Sequence, residues 1–520
     1  MNSSHHSLLA TLNALDVKAF KTHSQKIQPG DVFVCRQGLT WDSHLSATDA
    51  VNRGAIAVIA NRQLEISVPC LVSPSHSTSI SLINQYYQYP QDKLKHIGVT
   101  GTNGKTTVAY CLSQLLNIDG MSAYTGTLGS AFANVFYPLD NTTPDAITLL
   151  NLFHAMQQAG VTHHVMEVSS HALSQDRVTH IDFDAVVITN IGSDHLDYHR
   201  NREDYIQAKL RLIDRLKPGG TAVVNLDDEQ VVSVLDRCRS KYAMLTFSRY
   251  DPDADLYAQN ITATCKGATF VLHYGGETYP VATVLPFDFN IENTLVMLAL
   301  LVASGLNMSD AVNRLGALQP APGRSEVYTL ANGATVILDY AHNYDSLLNL
   351  YQNVRGDSPV PELQVTGSSA LMSQENGAGR VLTVIGVTGE RLEDAPEIGR
   401  LCAGKSDHVV FTTDNPLGVD QSDMFSALTR DLDASLMAKA VIVPDRALAI
   451  EQAVNQLMPN DVLLLCGKGH EEYQYISLNK HDAEPYMGDL AALRRAAMGR
   501  GWSVDDLEAK DTLVHLAIKN

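Results

Sequence analysis

The sequence has no unbroken apolar stretch of the ~18 residues that a membrane-spanning helix needs. Its longest candidate, Leu295–Leu306, stops at twelve residues and reads as a buried helix. The seven cysteines, at positions 35, 70, 111, 238, 265, 402 and 466, are odd in number, lie far apart and form no CxxC pair. Neither a disulfide framework nor a structural zinc site is therefore indicated. Positive charge is also scarce: 38 Lys and Arg stand against 57 Asp and Glu, a formal net charge of −19. That balance argues against nucleic acid as the main partner, because phosphate backbones select basic surfaces. Phosphorylated small molecules remain open, since one local loop and a metal ion can offset global charge. The opening segment MNSSHHSLLATLNALD lacks the basic start and long apolar core of a signal peptide, so a cytoplasmic chain without membrane association is expected.

What is present describes a globular chain: 45% hydrophobic and 18% charged residues over 520 positions. At ~100–200 residues per domain the length predicts three or four domains. Residues 1–90 form a small N-terminal region with strand-like runs at Asp31–Cys35, Ala55–Ala60 and Val68–Val72, closed by a helix over Ser81–Tyr89 and Pro90. From Lys95 the apolar runs Ile97–Thr100, His164–Val168, Ala185–Thr189 and Thr221–Asn225 alternate with helical patterns at Val108–Leu116 and Ile147–Ala159. This alternation predicts a parallel sheet covered by helices on both faces, over residues 91–324. The Pro-rich stretch Gln319–Gly323 marks the next boundary. Beyond it, Thr335–Leu338, Val381–Ile385, His408–Phe411, Ala440–Val443 and Asp461–Leu465 form a second alternating set, predicting a Rossmann-like α/β domain over 325–520. Gly356–Gly379 is rich in Ser, Gly, Pro and Gln, has no periodicity, and reads as a long surface loop.

The sharpest local signal is Gly101-Thr102-Asn103-Gly104-Lys105-Thr106-Thr107, set between a strand and a helix. Glycines let backbone N–H groups close around phosphate oxygens, and the helix N-terminus adds a favourable dipole. Lys105 is placed to neutralise the β- and γ-phosphates, and the Thr106 hydroxyl suits a Mg²⁺ ligand. The loop departs from GxxxxGK[ST] in having Val99 where a glycine is usual. Glu167 ends a buried strand, where doubly wound sheets place their ligands. It is a second candidate Mg²⁺ ligand.

TGTNGKTT resembles the phosphate loop of the Mur ligases, the ATP-dependent amide-forming enzymes of peptidoglycan synthesis. Further matches follow in order. They are Asn141-Thr142-Thr143-Pro144-Asp145, then Met166–Leu173 with Gln175 and Arg177, Asp194–His199, and Tyr205–Lys209. Late in the chain come Pro322-Gly323-Arg324, Asp339-Tyr340-Ala341-His342, Asp414-Asn415-Pro416 and Gly467-Lys468-Gly469-His470-Glu471. The ordered set covers about residues 20–490 and is most similar to the UDP-N-acetylmuramoyl-tripeptide synthetases.

The resemblance implies a three-domain α/β ligase. ATP and Mg²⁺ activate a carboxylate of UDP-N-acetylmuramoyl-L-Ala-D-Glu as an acyl phosphate, which an amino acid then attacks. It implies catalytic roles for Lys105, Glu167, His195 and Lys209, with Thr106, Glu167, His195 and a carbamylated Lys209 near the metal. It places Asn290 and Asn293 at the base, Arg324 at the γ-phosphate, and Asp339 and His342 at the ribose or the hinge. Thr142, Thr143, Ser169, Gln175 and Arg177 would hold the muramyl-peptide donor, with Ser24 at its uridine. Arg391, Asp414, Asn415, Gly467 and Glu471 would hold the acceptor. The expected action is that of a cytoplasmic monomer without nucleic-acid partners.

Several motif positions depart from the family. Only Ser24 survives of its Asp-Ser-Arg uridine segment. Enzymes adding meso-diaminopimelate carry DNPR, whereas Asp414-Asn415-Pro416 is followed here by Leu417. The loss of that Arg favours L-lysine, another diamine or a different amino acid as acceptor. Phe287 stands where the family has Gly, and Tyr344 where it has Pro. These changes keep two alternatives open: a paralogue using another carboxylate donor, and a nucleotide-binding regulator without catalysis.

Overall fold

A computed structural model describes residues 2–38, 41–117, 121–192, 198–238, 241–356, 379–478 and 483–505. The described residues form an α/β architecture of four sheets. Near the N-terminus, Phe20–Lys21, Val32–Val34, Ala57–Ala60 and Cys70–Val72 make a four-stranded parallel sheet. The predicted helix begins earlier than its apolar pattern suggests, at His76, because Ser75 accepts from the Thr78 amide and caps it.

The large central sheet has eleven strands. Its core is parallel, in the order Ala243–Ser248, Leu216–Asn225, Phe183–Ile188, Lys95–Thr100, His163–Glu167, Ser122–Gly126. The inner strands Phe183–Ile188, Lys95–Thr100, His163–Glu167 and Ser122–Gly126 are buried on both faces over almost their whole length, which is why such strands read as apolar runs. One core cluster joins helix Ala146–Gln158 to one face, and another joins Lys105–Leu116 and Phe289–Ala303 to the other. The all-parallel expectation needs correction at both edges. Gly129–Phe132 and Val135–Tyr137 continue one side antiparallel; on the other, Leu256–Thr264 still joins in parallel, and Gly267–Tyr274 and Glu277–Thr283 follow antiparallel. The last hairpin turns at Gly275-Gly276, both at positive φ (60° and 81°), the backbone that a two-residue hairpin selects.

The C-terminal sheet runs Ala440–Ile442, His408–Phe411, Val381–Ile385, Val462–Cys466, Thr335–Asp339 in parallel, then antiparallel Glu326–Leu330 and Val504–Asp505. The stretch 357–378, read as a loop, lies outside the described residues. The helix that carries Lys209, Arg202–Leu210, is followed by a tight turn at Ile213–Arg215 that leads into the strand beginning at Leu216.

Both unusual residues flagged by sequence have structural roles. Tyr344 opens helix Tyr344–Arg355 behind an Asn343–Ser346 capping box, so the side-chain cap supplies the start signal that Pro would give. Phe287 adopts φ +70° and is 1% exposed, inside the core cluster that contains Ile337, Leu347 and Tyr351 of the C-terminal sheet and its helix. An aromatic residue at positive φ is strained. Its ring therefore ties the central segment to the C-terminal core at a backbone cost.

Beneath the central sheet, His96 and His164 are buried with their Nδ1 atoms 3.0 Å apart. His96 Nε2 meets the Gln91 carbonyl and His164 Nε2 meets Thr125 Oγ1. Burial holds both imidazoles neutral, lowering His96 to about 4 and His164 well below its usual value. Because the unfolded chain takes up these protons first, folding stability should be full above pH 6.5 and fall as pH drops towards 4, by roughly a few kcal/mol. Urea unfolding at pH 7.5 and 5.0 checks this. The slope should flatten in His96→Asn, and an unchanged slope would contradict the assignment.

Candidate active site

The phosphate loop leaves strand Lys95–Thr100 and ends at Gly104, whose left-handed backbone (φ +84°) opens helix Lys105–Leu116. A side chain at Gly104 would strike the Asn293 amide oxygen at 2.5 Å, so this glycine is required by a close approach. The Lys105 ammonium folds back onto its own loop, donating to the carbonyls of Gly101 and Thr102 at 2.9 Å each. Thr102 accepts the Gly192 amide at 2.9 Å and bonds the Tyr205 hydroxyl at 2.9 Å. The Asn103 amide donates to Asn190 at 2.9 Å.

Glu167, fully buried, is the centre of the arrangement. Its carboxylate accepts from Thr106 Oγ1 (2.9 Å), Tyr124 Oη (2.6 Å), the Thr127 amide (2.9 Å) and Thr127 Oγ1 (3.2 Å). Burial, then the adjacent carboxylate, pushes the Tyr124 phenol well above its usual range, so it stays a donor. Arg324 reaches from the interdomain linker to donate to Thr106 Oγ1 at 3.0 Å, its guanidinium lying 4.4 Å from the Tyr340 ring centroid. Thr106 and Glu167 thus present two hard oxygens side by side, which fits a Mg²⁺ ion completed by phosphate oxygens and water. Among the described residues no cluster of three His, Cys, Asp or Glu side chains could hold a metal by itself. His195 lies outside the described residues.

Lys209 does not carry an exposed charge. It is 2% exposed, donates to the Gly101 carbonyl at 2.7 Å, and lies 4.4 Å from the Tyr205 ring centroid. As an ammonium it cannot ligate a metal; only a modified side chain could.

A cavity of about 490 Å³ opens beside the loop, lined by Asn103, Gly104, Thr107, Asn293, Arg324 and His342 among others. Asn290 does not line it. Its amide donates to the Pro286 carbonyl (2.6 Å) and its oxygen accepts from Asn293 (2.8 Å), so it orients Asn293. Asp339 also lines the cavity, but its carboxylate is occupied by Ser325 N (2.6 Å), Ser325 Oγ (2.8 Å) and Ala341 N (2.7 Å), which fastens the 323–325 turn to the end of strand Thr335–Asp339. Burial raises its pKa against those donors. His342 meets the Tyr340 carbonyl at 2.7 Å. Sequence reasoning passed over Arg249, which lines the same cavity and pairs with Glu292 at 2.8 Å.

The residues assigned to a donor also converge. Thr143 Oγ1 donates to the Glu167 carbonyl (2.8 Å) and accepts the Ser169 amide (3.0 Å). Ser169 in turn caps helix Ser170–Ser174. Arg177 grips the Thr143 carbonyl (2.6 Å) and Gln175 Oε1 (2.7 and 3.0 Å), while Gln175 reaches Tyr198 Oη (3.1 Å). Thr142 bonds Thr127 at 3.1 Å. Ser24 lies on the N-terminal turn Ser24–Lys26, and Lys26 pairs with Asp140 on the same loop as Thr142.

On the acceptor side, Lys468 is fully buried and was the missed residue, although it sits inside the motif already quoted. Its ammonium meets Glu471 (3.0 Å), Asp414 (3.2 Å), Asn415 Oδ1 (2.5 Å) and the Tyr473 carbonyl (2.8 Å). Glu471 also accepts from Asn415 (3.0 Å) and Tyr340 Oη (3.2 Å). Arg391 sits on the turn whose Gly389 amide donates to the Asn415 carbonyl (2.9 Å), and lies 3.4 Å from Asp394. Leu417 is 6% exposed at φ +52° and brings no charge.

The Glu167 network has a measurable weight. Glu167→Ala leaves four donor atoms without their acceptor, of which the buried Thr106 and Tyr124 hydroxyls each cost ~1–3 kcal/mol when nothing relaxes. Urea denaturation should show a loss of at least about 2 kcal/mol, with a smaller loss for Glu167→Gln. Equal stability of Glu167→Ala and the unaltered protein would contradict the geometry.

Comparison with known proteins agrees with this arrangement. The Mur ligase middle domain family matches residues 99–301, and the Mur ligase glutamate ligase domain family matches residues 368–469. A UDP-N-acetylmuramoyl-L-alanyl-D-glutamate–2,6-diaminopimelate ligase from Geobacillus thermodenitrificans is 35% identical over 497 residues, covering 93% of this chain and 96% of the relative. The enzyme of the same name from Listeria innocua is 34% identical over 474 residues, covering 89% and 91%. A solved structure of a ligase of that name superposes with a TM-score of 0.60 at 27% identity, covering 93% and 95%. The MurF ligase from Thermotoga maritima in complex with ADP shares the fold, with a TM-score of 0.64 at 17% identity over 95% and 99% of the two chains. The architecture, the ordered motifs and these matches place the chain in the Mur ligase family.

Proposed function

We propose that this Mur ligase joins an amino acid to the D-Glu carboxylate of UDP-N-acetylmuramoyl-L-Ala-D-Glu, consuming ATP. Residues 1–90 would bind the uridine end of the donor, 91–324 the ATP, and 325–520 the acceptor amino acid. The observation that carries this reading is the meeting of three groups at one point. Thr106 of the phosphate loop, Glu167 at a strand end and Arg324 of the linker share hydrogen bonds of 2.9 and 3.0 Å, between the donor network and the Lys468 cluster.

The chemistry follows from what must be moved. A carboxylate oxygen of the donor attacks the γ-phosphorus, and ADP leaves with the bond electrons. The acceptor amine then attacks the acyl carbon, loses a proton, and phosphate departs with the transferred oxygen. Backbone amides of the Gly101–Thr107 loop and the ammonium of Lys105 surround the migrating negative charge. Arg324 stands where the γ-phosphate would lie and adds a second cation. Mg²⁺, bound at Thr106 and Glu167, would supply further charge stabilisation. Arg177, Gln175, Thr142, Thr143 and Ser169 would orient the donor peptide, and Arg391, Asp414, Asn415, Gly467 and Glu471 the acceptor. The low-dielectric burial of Glu167 and Lys209 keeps this centre away from bulk water.

The reading is tested by donor- and acceptor-dependent ADP release, with product masses determined. Lys105→Ala should abolish turnover while leaving the melting temperature unchanged; full turnover in the folded variant would contradict it. Lys209 is proposed to be carbamylated, because it matches the lysine of the family's Tyr205–Lys209 segment and is buried against the phosphate loop. Lys209→Ala should lose activity on the order of 100-fold or more, and added short carboxylic acids should restore part of it. An active, unsupplemented Lys209→Ala would overturn the proposal. Leu417 offers no partner to a second acceptor carboxylate, a desolvation cost of ~1–3 kcal/mol. L-lysine should therefore be preferred to meso-diaminopimelate by roughly ten- to a hundredfold in kcat/KM, and Leu417→Arg should narrow the gap. Equal kcat/KM in the unaltered protein would refute this.

A further inference from the structure

Five charged side chains are buried where the parallel strands of the C-terminal sheet end: Asp414, Arg446, Lys468, Glu471 and Asp489, none more than 6% exposed. Arg446 forms a two-pronged pair with Asp489, Nε to Oδ1 and Nη2 to Oδ2, both 2.7 Å. Tyr486 Oη also donates to Asp489, at 2.8 Å. Each partner is the first residue of a helix, Arg446–Asn455 and Asp489–Gly499. Asp489 suits that position, but a cation at a helix N-terminus opposes the dipole. Burying such a pair is also a poor route to stability, since apolar replacements of similar volume are often neutral or better. The pair therefore calls for an explanation other than stability.

Its geometry supplies one. Arg446 Nη2 also donates to the Cys466 carbonyl at 2.8 Å, clamping the end of strand Val462–Cys466. The next residue, Gly467, has φ +104°, and a side chain there would meet Asp414 Oδ2 at 2.7 Å. The residue after that, Lys468, holds Asp414 Oδ1 at 3.2 Å. The turn 466–468 is thus pinned by Arg446 on one side and carries Asp414 on the other. Arg446 Nη1 is buried without a hydrogen-bond partner, and Asp414 Oδ1 has the Lys468 ion pair alone. Burial raises the Asp414 carboxyl, while Lys468 and then Arg446 pull it back towards the charged form. With three carboxylates against two cations, the cluster has one negative charge in excess when all five are ionised, a match for an incoming ammonium.

We propose that Arg446, anchored by Asp489, is a positioning residue of the acceptor site: it holds the Cys466–Lys468 turn and Asp414 in place for the amino group of the acceptor. Arg446 acts through Asp414 and the turn, without touching the substrate. The inference rests on the function proposed above and adds a residue to its acceptor site.

The test uses the intact chain with ATP, the UDP-muramyl dipeptide, and L-lysine or meso-diaminopimelate as acceptor. Arg446→Met should raise the acceptor KM on the order of tenfold, with the KM values for ATP and donor held within about twofold because their sites share no partner with Arg446. The acid limb of kcat/KM for the acceptor should move up by about one pH unit, since Asp414 loses a stabilising cation. Arg446→Lys, which keeps the charge, should recover part of the acceptor affinity. Asp489→Asn, which releases the anchor but leaves the cation, should also raise the acceptor KM and serves if Arg446→Met does not fold. An unaltered acceptor KM and pH profile in the folded variants, or equal rises for all three substrates, would overturn the inference alone. Absence of acceptor-dependent ADP release from the unaltered protein would overturn the functional reading, and this inference with it.

Discussion

A single buried carboxylate organises the centre of this protein. Glu167 ends a strand buried from His164 onward, and a charge in that place is tolerable only when its oxygens are hydrogen-bonded. Four donor atoms from the phosphate-loop helix and the adjoining strand and turn supply those bonds. The carbonyl of the same residue accepts from Thr143, which begins the Thr143–Ser169–Arg177 network. The requirement to satisfy one acid therefore fixes the phosphate loop, the following strands and the Thr143 loop relative to one another.

The parallel strands and their covering helices were legible because burial on both faces leaves unbroken apolar runs. The antiparallel edges were less so: Gly267–Tyr274 alternates buried and accessible positions, and its only strong marker was the Gly275-Gly276 turn. The phosphate loop could be read from its glycines, and Glu167 from its place at a strand end. The distinction between Asn293, beside Gly104, and Asn290, which orients it, depends on side-chain direction along one helix turn and was invisible in the sequence. Lys209 read as an exposed helix charge from its pattern. Its burial follows from tertiary packing against Tyr205 and the Gly101 carbonyl. Arg446 and Asp489 belong to no motif recognised in the chain, and only the fold brings them together.

Charge is distributed unevenly for a reason. The chain carries a net −19, yet Lys105, Lys209 and Arg324 gather around one loop, where the triphosphate and donor carboxylate of the proposed reaction would meet. The acceptor side has the opposite balance, with Asp414, Glu471 and Asp489 outnumbering Lys468 and Arg446. In the proposed reaction an anionic electrophile precursor and a cationic nucleophile would thereby be drawn to adjacent places. Arg324 on the linker and Phe287 in the C-terminal core hold those places together.

The central claim, activation of a carboxylate by phosphoryl transfer, is tested most directly by following an oxygen atom. The donor is prepared with ¹⁸O in the D-Glu side-chain carboxylate and turned over with ATP and acceptor, and the released phosphate is weighed by mass spectrometry. The account predicts one ¹⁸O atom in each phosphate formed from fully labelled donor. Unlabelled phosphate accompanying amide product would contradict it.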